Sequence, residues 1–404
     1  CQRPSMANLS LEALLEELRH QQDWLMVQDL DGVCMPLVLD PLTRVMPAAY
    51  IRSAARLQGR FCVLTNGEHA GLRGVNPLVE RALAGIADPA NEGLYLPGLA
   101  AGGVQRQDRF GQITYPGISD AELATLDALP AKILEGLREQ LTPLLPELSE
   151  AEREALYGRT ILANPLSPTI NLNALFSRFS GDVERQLLLQ QRSLALMQTL
   201  LAQAEADGQE ACFFLHLAPN LGSSDGVELP KPAAPGNVGT TDVQFMLRGA
   251  VKEAGLLALI NQHIARRTGT APLGEDFNAR SAPADHAQLL ELCQRRIPIE
   301  QMPLLVGVGD TITSEPDGQG GWRRGGSDRG FLTLLQELGH PFGRSNRVVL
   351  VDSSAGEVDR PSLQDPELKG LSDPEDPLKP DVLVPGGPDA YVAWFEQLAT
   401  ELGA

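Results

Sequence analysis

The stretch Val27-Gln28-Asp29-Leu30-Asp31-Gly32-Val33-Cys34 decides the reading of this chain. The apolar run Trp24-Leu25-Met26-Val27 predicts a short buried strand, which ends in two aspartates one residue apart and then a glycine. In α/β proteins the carboxyl ends of strands are where reactive groups are displayed. Two carboxylates this close repel, so the arrangement is costly unless a cation or a substrate charge uses it. Alone, Asp-x-Asp-Gly fits an acidic turn equally well, and the rest of the chain must separate the two readings.

Working outward, similar punctuation recurs. Asn8 to His20 reads as an amphipathic helix with Leu9, Leu11, Leu14, Leu15 and Leu18 on one side, and Ala48–Gln58 as another helix. Arg60 to Leu64 is a second expected strand, ending in the polar Thr65-Asn66-Gly67, and a helix follows over Gly74–Ala87. This alternation predicts a parallel sheet. Met302 to Gly309 is a third strand, closed by Asp310, and Arg347 to Asp352 a fourth; a last helix spans Asp389–Leu402.

Between these blocks the texture changes. Leu94-Tyr95-Leu96 and Gly111 to Tyr115 read as strands, Ser119-x-x-Glu122 and Ser149-x-x-Glu152 as capping-box helix starts, Asp182–Ala206 as a long helix, and Ala211–His216 as a strand. The expected division is therefore a core domain over 7–90 and 239–404 with an inserted domain over 91–238. Thr241 with Gln244 is expected to cap a helix running to Gly255, with Arg248 and Lys252 one turn apart on one face. The acidic, proline-bearing stretch 353–385 is too long for an ordinary loop, which suggests function or mobility, and its charges make it a candidate sensor of ionic strength.

With 404 residues, 43% of them hydrophobic, the chain can form two globular domains with a substantial core. A formal charge of −19 argues against nucleic acid and anionic membranes as partners, but leaves room for a small phosphorylated substrate received by a metal and a few local cations. Five scattered cysteines, Cys1, Cys34, Cys62, Cys212 and Cys293, fit a reducing cytoplasm rather than a disulfide framework or zinc site. No apolar run approaches the roughly 18 residues of a membrane span. Cys1 to Ser5 lack a signal-peptide core and are expected to be a remnant ahead of Met6.

Asp29 with Asp31, Thr65, Lys252 and Asp310 thus stand in order at strand ends or on a helix. In that order and character the sequence resembles the haloacid dehalogenase-like superfamily. The resemblance implies a Rossmannoid α/β core with a doubly wound parallel sheet, and a large α/β cap between the second and third motifs. Thr65 follows Asp31 by only 34 positions, whereas Lys252 follows Thr65 by 187, so the insertion falls where that cap belongs. By resemblance Asp29 attacks phosphorus and Asp31 serves as general acid and base, its presence favouring phosphate hydrolysis over dehalogenation. Thr65 and nearby backbone N–H groups hold a phosphoryl oxygen, and Lys252 offsets charge. The implied cofactor is Mg2+, held by Asp29, the Asp31 carbonyl and Asp310. The second acidic residue usual after the third acidic motif is missing from Gly309-Asp310-Thr311-Ile312-Thr313-Ser314, and Asp328 in Gly325-Gly326-Ser327-Asp328 is the candidate to replace it.

The flanks carry a closer resemblance. Val27 to Met35, Val63 to His69, Gly93 to Gly103, Gly239 to Gly255, Gly307 to Thr311 and Arg324 to Arg329 look like the glucosylglycerol 3-phosphatase family, whose reaction releases phosphate from 2-O-glucosylglycerol 3-phosphate to give a compatible solute in salt stress. The synthase of that substrate is an implied functional partner. A related sugar-phosphate phosphatase, acting on sucrose phosphate or a glycosylglycerate phosphate, and a catalytically weak carbohydrate-binding regulator remain alternatives. Candidates for reading the sugar are Glu92, His216, Asn220, Asp242 and Gln244, with Asn66 and Gly67 beside the phosphate. His216 equally fits a structural histidine, Asn220 a turn former. Glu68, His69 and Arg73 either face substrate or only start a helix, and Arg248, the leading phosphate partner, alternatively braces an acid.

Overall fold

The computed structural model describes residues 9–404, so Cys1, the stretch up to Met6 and Asn8, the expected start of the first helix, lie outside the described residues. In chain order the strands are β1 (Trp24–Gln28), β2 (Phe61–Leu64), β3 (Gly98–Ala100), β4 (Gln105–Gln107), β5 (Ile113–Thr114), β6 (Ile161–Leu162), β7 (Thr169–Asn171) and β8 (Phe213–Ala218). Then follow β9 (Asn220–Ser224), β10 (Val227–Pro230), β11 (Asp242–Leu247), β12 (Leu304–Gly309), β13 (Thr313–Pro316), β14 (Trp322–Gly325), β15 (Arg347–Val351) and β16 (Val382–Val384).

The core sheet runs β16-β15-β12-β1-β2-β3-β4-β5, with β16 through β3 parallel and β4 and β5 antiparallel at one edge. All five β1 residues are buried, because a parallel strand is covered on both faces. Successive side chains point to opposite sides. Trp24 and Met26 join an apolar cluster with Leu14, Tyr50, Leu78 and Phe395, while Leu25 and Val27 join another with Leu256, Ile260, Phe331 and Leu335. The doubly wound parallel sheet expected from the sequence is therefore present. It brings the ends of β1, β2 and β12 side by side.

The second layer is an antiparallel sheet, β6-β7-β11-β8, backed by the helices Asp120–Gln140 and Val183–Ala206 around Leu126, Leu189, Phe213 and Phe245. Both capping boxes form, at Ser119 with Glu122 and Ser149 with Glu152.

Three segments differ from the sequence reading. Leu94–Leu96 is not a strand. Pairing begins instead at Gly98, where a Cβ would meet the Val63 carbonyl oxygen at 2.2 Å and φ is +139°, so only glycine lets β3 close against β2. Residues 242–247 form β11 rather than a helix, because Val243, Phe245 and Leu247 alternate into the apolar core of the second layer. Gly249, at φ +86° and against the main chain of Ala279, then turns the chain, and the helix starts at Lys252 (Lys252–Thr268), so Arg248 does not share a helical face with Lys252. Sheet membership thus departs from the expected 91–238 division at both joints: β3 to β5 extend the core sheet, and β11 completes the second one.

The 353–385 stretch is an ordered strap that ends in β16. Asp352 accepts from Ser354 N, Ser362 Oγ and Leu363 N, and Leu363, Leu368 and Leu371 are buried in the core. Arg324 grips Asp373 with two hydrogen bonds of 2.8 Å, and Arg329 grips Asp376 at 2.8 and 2.9 Å, both carboxylates being fully buried. Removing one member of such a pair strands a buried charge, so Asp376→Ala should destabilise the protein by about 3 kcal/mol. An unchanged denaturation midpoint would show that the Arg329–Asp376 pair adds nothing to the hold on the strap.

Candidate active site

The ends of β1, β2 and β12 open onto a cavity of about 200 Å³ lined by Asp29, Asp31, Thr65, Lys252 and Asp310. Asp29 leaves β1 with Oδ1 accepting from Leu30 N at 2.9 Å and Oδ2 3.2 Å from Lys252 Nζ. Lys252, on the first turn of its helix, also donates to Asp328 Oδ1 at 2.7 Å. The other Asp328 oxygen accepts from Asp310 N and Thr311 N, both at 3.0 Å, which fixes the turn after β12. Gly32, at φ +79°, leaves room for the Asp310 carboxylate, since a Cβ there would lie 2.1 Å from Oδ2.

Three carboxylates and one ammonium are thus buried together. Burial and then Asp328 push Asp29 up to about 7 against the pull of Lys252. Burial, then Asp328 and Asp29, hold Asp310 well above the usual carboxylate range. For Asp328 burial also works upward, but Lys252 and the two backbone N–H groups prevail and keep it low. Lys252 is the mirror case: burial works to lower it, and Asp29 and Asp328 hold it above its ordinary value.

The donor set fits a hard divalent cation. Asp29, Asp310 and Asp328 offer carboxylate oxygens within 4.8 Å of one another, and Asp310 Oδ2 is buried without a hydrogen-bond partner. A cation there would relieve the repulsion that raises Asp29 and Asp310.

Asp31 stands apart from this cluster. Its two oxygens each lie 3.2 Å from Arg44 Nη1, while Arg44 Nε donates to the Pro41 carbonyl and Nη2 to that of Arg73. Thr65 is buried at the end of β2, and its Oγ1 accepts from Gly67 N at 3.3 Å. Asn66 lines the cavity and meets His216 Nε2 at 3.0 Å, and His216 Nδ1 meets Glu228 at 3.0 Å. Burial works to lower the His216 pKa, but Glu228 raises it on balance.

From the second layer, Asp242 and Gln244 on β11 line the cavity with Asn164, Asn171 and Asn173. Asn171 Nδ2 donates to Asp242 Oδ1 at 2.8 Å. Burial takes Asp242 up to about 6 despite Arg360 nearby.

Other sequence candidates lie elsewhere. Glu92 is exposed and accepts from Asp88 N, its own helix start. His69 is buried, with its backbone N–H on Gln105 and its ring on the Gly98 carbonyl. Asn220 ties Leu217, Glu228, Gly222 and Gly326 together outside the cavity. Arg248 is exposed at the end of β11. Glu68 accepts from Leu166 N and Ser167 Oγ, joining the β2 end to the second layer, and Arg73 lines the cavity. Sequence reasoning missed Arg44, the three asparagines and Arg360; Asn171 ends β7 and Asn173 opens the helix after it, while Arg44, Asn164 and Arg360 reach the cavity from irregular segments with no periodic signal.

Residues 23–399 match the family model described as glucosylglycerol-phosphate phosphatase. A glucosylglycerol-phosphate phosphatase of Synechocystis sp. is 46% identical over 400 residues, covering 96% of this chain and 95% of that protein. Among solved structures, the C-terminal domain of C. albicans trehalose-6-phosphate phosphatase aligns at 12% identity and a TM-score of 0.48 over 99% of both chains. The Aspergillus fumigatus trehalose-6-phosphate phosphatase aligns at 12% and 0.40, over 97% of this chain and 98% of that one. No described helix is long and apolar enough to cross a membrane.

The joint between the two layers carries its own pH signature. Burial raises Glu68 from 4.5 to about 7, so the native state binds the extra proton between those values and stability falls as pH rises through that window. Glu68→Gln, which mimics the protonated form, should flatten the dependence of the denaturation midpoint between about pH 4.5 and 7. A variant curve parallel to the parent's would remove Glu68 as the source.

Proposed function

The chain belongs to the glucosylglycerol-phosphate phosphatase family and is a phosphatase, and on that premise we propose that it hydrolyses 2-O-glucosylglycerol 3-phosphate to glucosylglycerol and phosphate, in the cytoplasm, as the last step in making a compatible solute. The observation that carries this reading is the buried set Asp29, Lys252, Asp310 and Asp328, opening on a cavity whose other wall holds Asn171, Asp242 and Gln244. One end suits a phosphoryl group and the other a hydroxyl-rich alcohol.

In the proposed reaction an Asp29 oxygen attacks phosphorus as the bond to the glycerol oxygen breaks, giving an aspartyl phosphate and splitting one very slow step into two. Asp31 gives its proton to the departing alkoxide, then takes one from the water that cleaves the aspartyl phosphate. Arg44 orients Asp31 for both transfers. Lys252 pulls Asp29 toward its anionic form next to the incoming phosphate, and Thr65 with the N–H groups after it receives a phosphoryl oxygen. A bound Mg2+, held by Asp29, Asp310 and the Asp31 carbonyl, would supply positive charge against the phosphoryl oxygens. Both Asp328 oxygens are already engaged, so its part is to position Lys252 and the Asp310 turn.

Phosphate release should be selective for 2-O-glucosylglycerol 3-phosphate over sucrose 6-phosphate and glycerol 3-phosphate, and should stop when magnesium is chelated. Equal release from all three would keep the phosphatase and discard the substrate. Asp29→Asn should lower kcat by about 10⁴ or more with the melting temperature retained. Substantial remaining turnover would refute covalent catalysis by Asp29.

A further inference from the structure

A carbohydrate hydroxyl donates one hydrogen bond and accepts others, so a wall that reads hydroxyls needs acceptors and donors close together. β11 supplies acceptors: Gln244 Oε1 is buried without a partner, and Asp242 is steadied by Asn171. Among the strong donors around the cavity, Lys252 and Arg44 are committed, and the half-buried Arg73 forms no ion pair among the described residues. Lys252 is engaged by Asp29 and Asp328, and Arg44 by Pro41, Asp31 and Arg73.

Arg360 differs. It lines the same cavity, Nη1 donates to the carbonyl of its neighbour Asp359, and Nε is buried without a partner. Among the described residues no carboxylate lies within ion-pair distance, yet the guanidinium is near enough to feel the charges of both Asp310 and Asp242. It shares that cavity with Asp29 and Asp310 on one side and with Asp242 and Gln244 of β11 on the other. Its place is built: Asp352 pins both ends of the 353–362 segment, and Glu357 N donates to the Leu37 carbonyl, just beyond Asp31, at 2.8 Å. At Gly356 a Cβ would lie 2.4 Å from that same oxygen, so the strap approaches as closely as a backbone can.

We infer that Arg360 is a specificity-determining residue whose free guanidinium N–H groups donate to hydroxyls of a glycosyl leaving group while Gln244 and Asp242 accept from them. The inference rests on the sugar-phosphate reading above and adds the residue that selects the sugar. Lys252 stands beside Asp29 and a bound cation would add to it, so loss of Arg360 should be felt more by the alcohol than by the phosphate.

The test measures kcat and KM of the full chain, in magnesium, on two sets of esters: glycosylated ones (2-O-glucosylglycerol 3-phosphate, sucrose 6-phosphate) and bare ones (glycerol 3-phosphate, p-nitrophenyl phosphate). Arg360→Ala should lower kcat/KM on the preferred glycosylated ester about 10- to 100-fold, mainly through KM, and change the bare esters less than about twofold. Retained turnover of bare esters also reports an intact fold. Arg360→Lys should recover only part of the loss, because an ammonium lacks the planar fork. Equal loss on both sets, or no loss on either, overturns the inference. If the parent protein prefers sucrose 6-phosphate, the substrate named above falls and Arg360 is judged on that ester. If the parent prefers the bare esters, both readings fail.

Discussion

One ammonium among three carboxylates, all out of water, is the constraint on which this molecule depends. Lys252 cannot neutralise Asp29, Asp310 and Asp328 together, so the pocket stays electrically unfinished and ready for positive charge. Keeping such a group buried requires that every remaining lone pair be answered or aimed. Asp328 is answered by two backbone N–H groups, whereas Asp310 Oδ2 is aimed, with no protein partner. The parallel sheet makes this possible. β1 and β12 are neighbours in register, so their carboxyl ends deliver Asp29 and Asp310 from positions far apart in the chain.

Around that centre three irregular segments meet. Leu37 and Leu39, beyond Asp31, accept hydrogen bonds from Glu357 of the strap and Asn173 of the second layer. The loop after Asp31 is thereby tied to both of the others.

Much of this was legible from local sequence. The buried strands announced themselves as short apolar runs, and the two capping boxes formed where Ser and Glu stand three apart. Thr241 to Leu247 was misread because a Thr and a Gln three apart also resemble a cap, and the competing alternation of Val243, Phe245 and Leu247 is short. Tertiary pairing with β7 and β8 decided it, and that pairing is not written locally. Arg248 failed with it, since its candidacy rested on sharing a helix with Lys252. Arg44 and Arg360 had no signal at all. Their positions depend on contacts across many residues, such as Arg44 with the Arg73 carbonyl and Asp352 with Leu363 just beyond Arg360.

Only four residues separate the end of β11 from Lys252, and one of them is Gly249. The strand that carries Asp242 and Gln244 and the helix that carries the ammonium are therefore two arms of one short lever. The cavity wall formed by Asp242 and Gln244 and the ammonium beside Asp29 thus keep a spacing set by one four-residue turn.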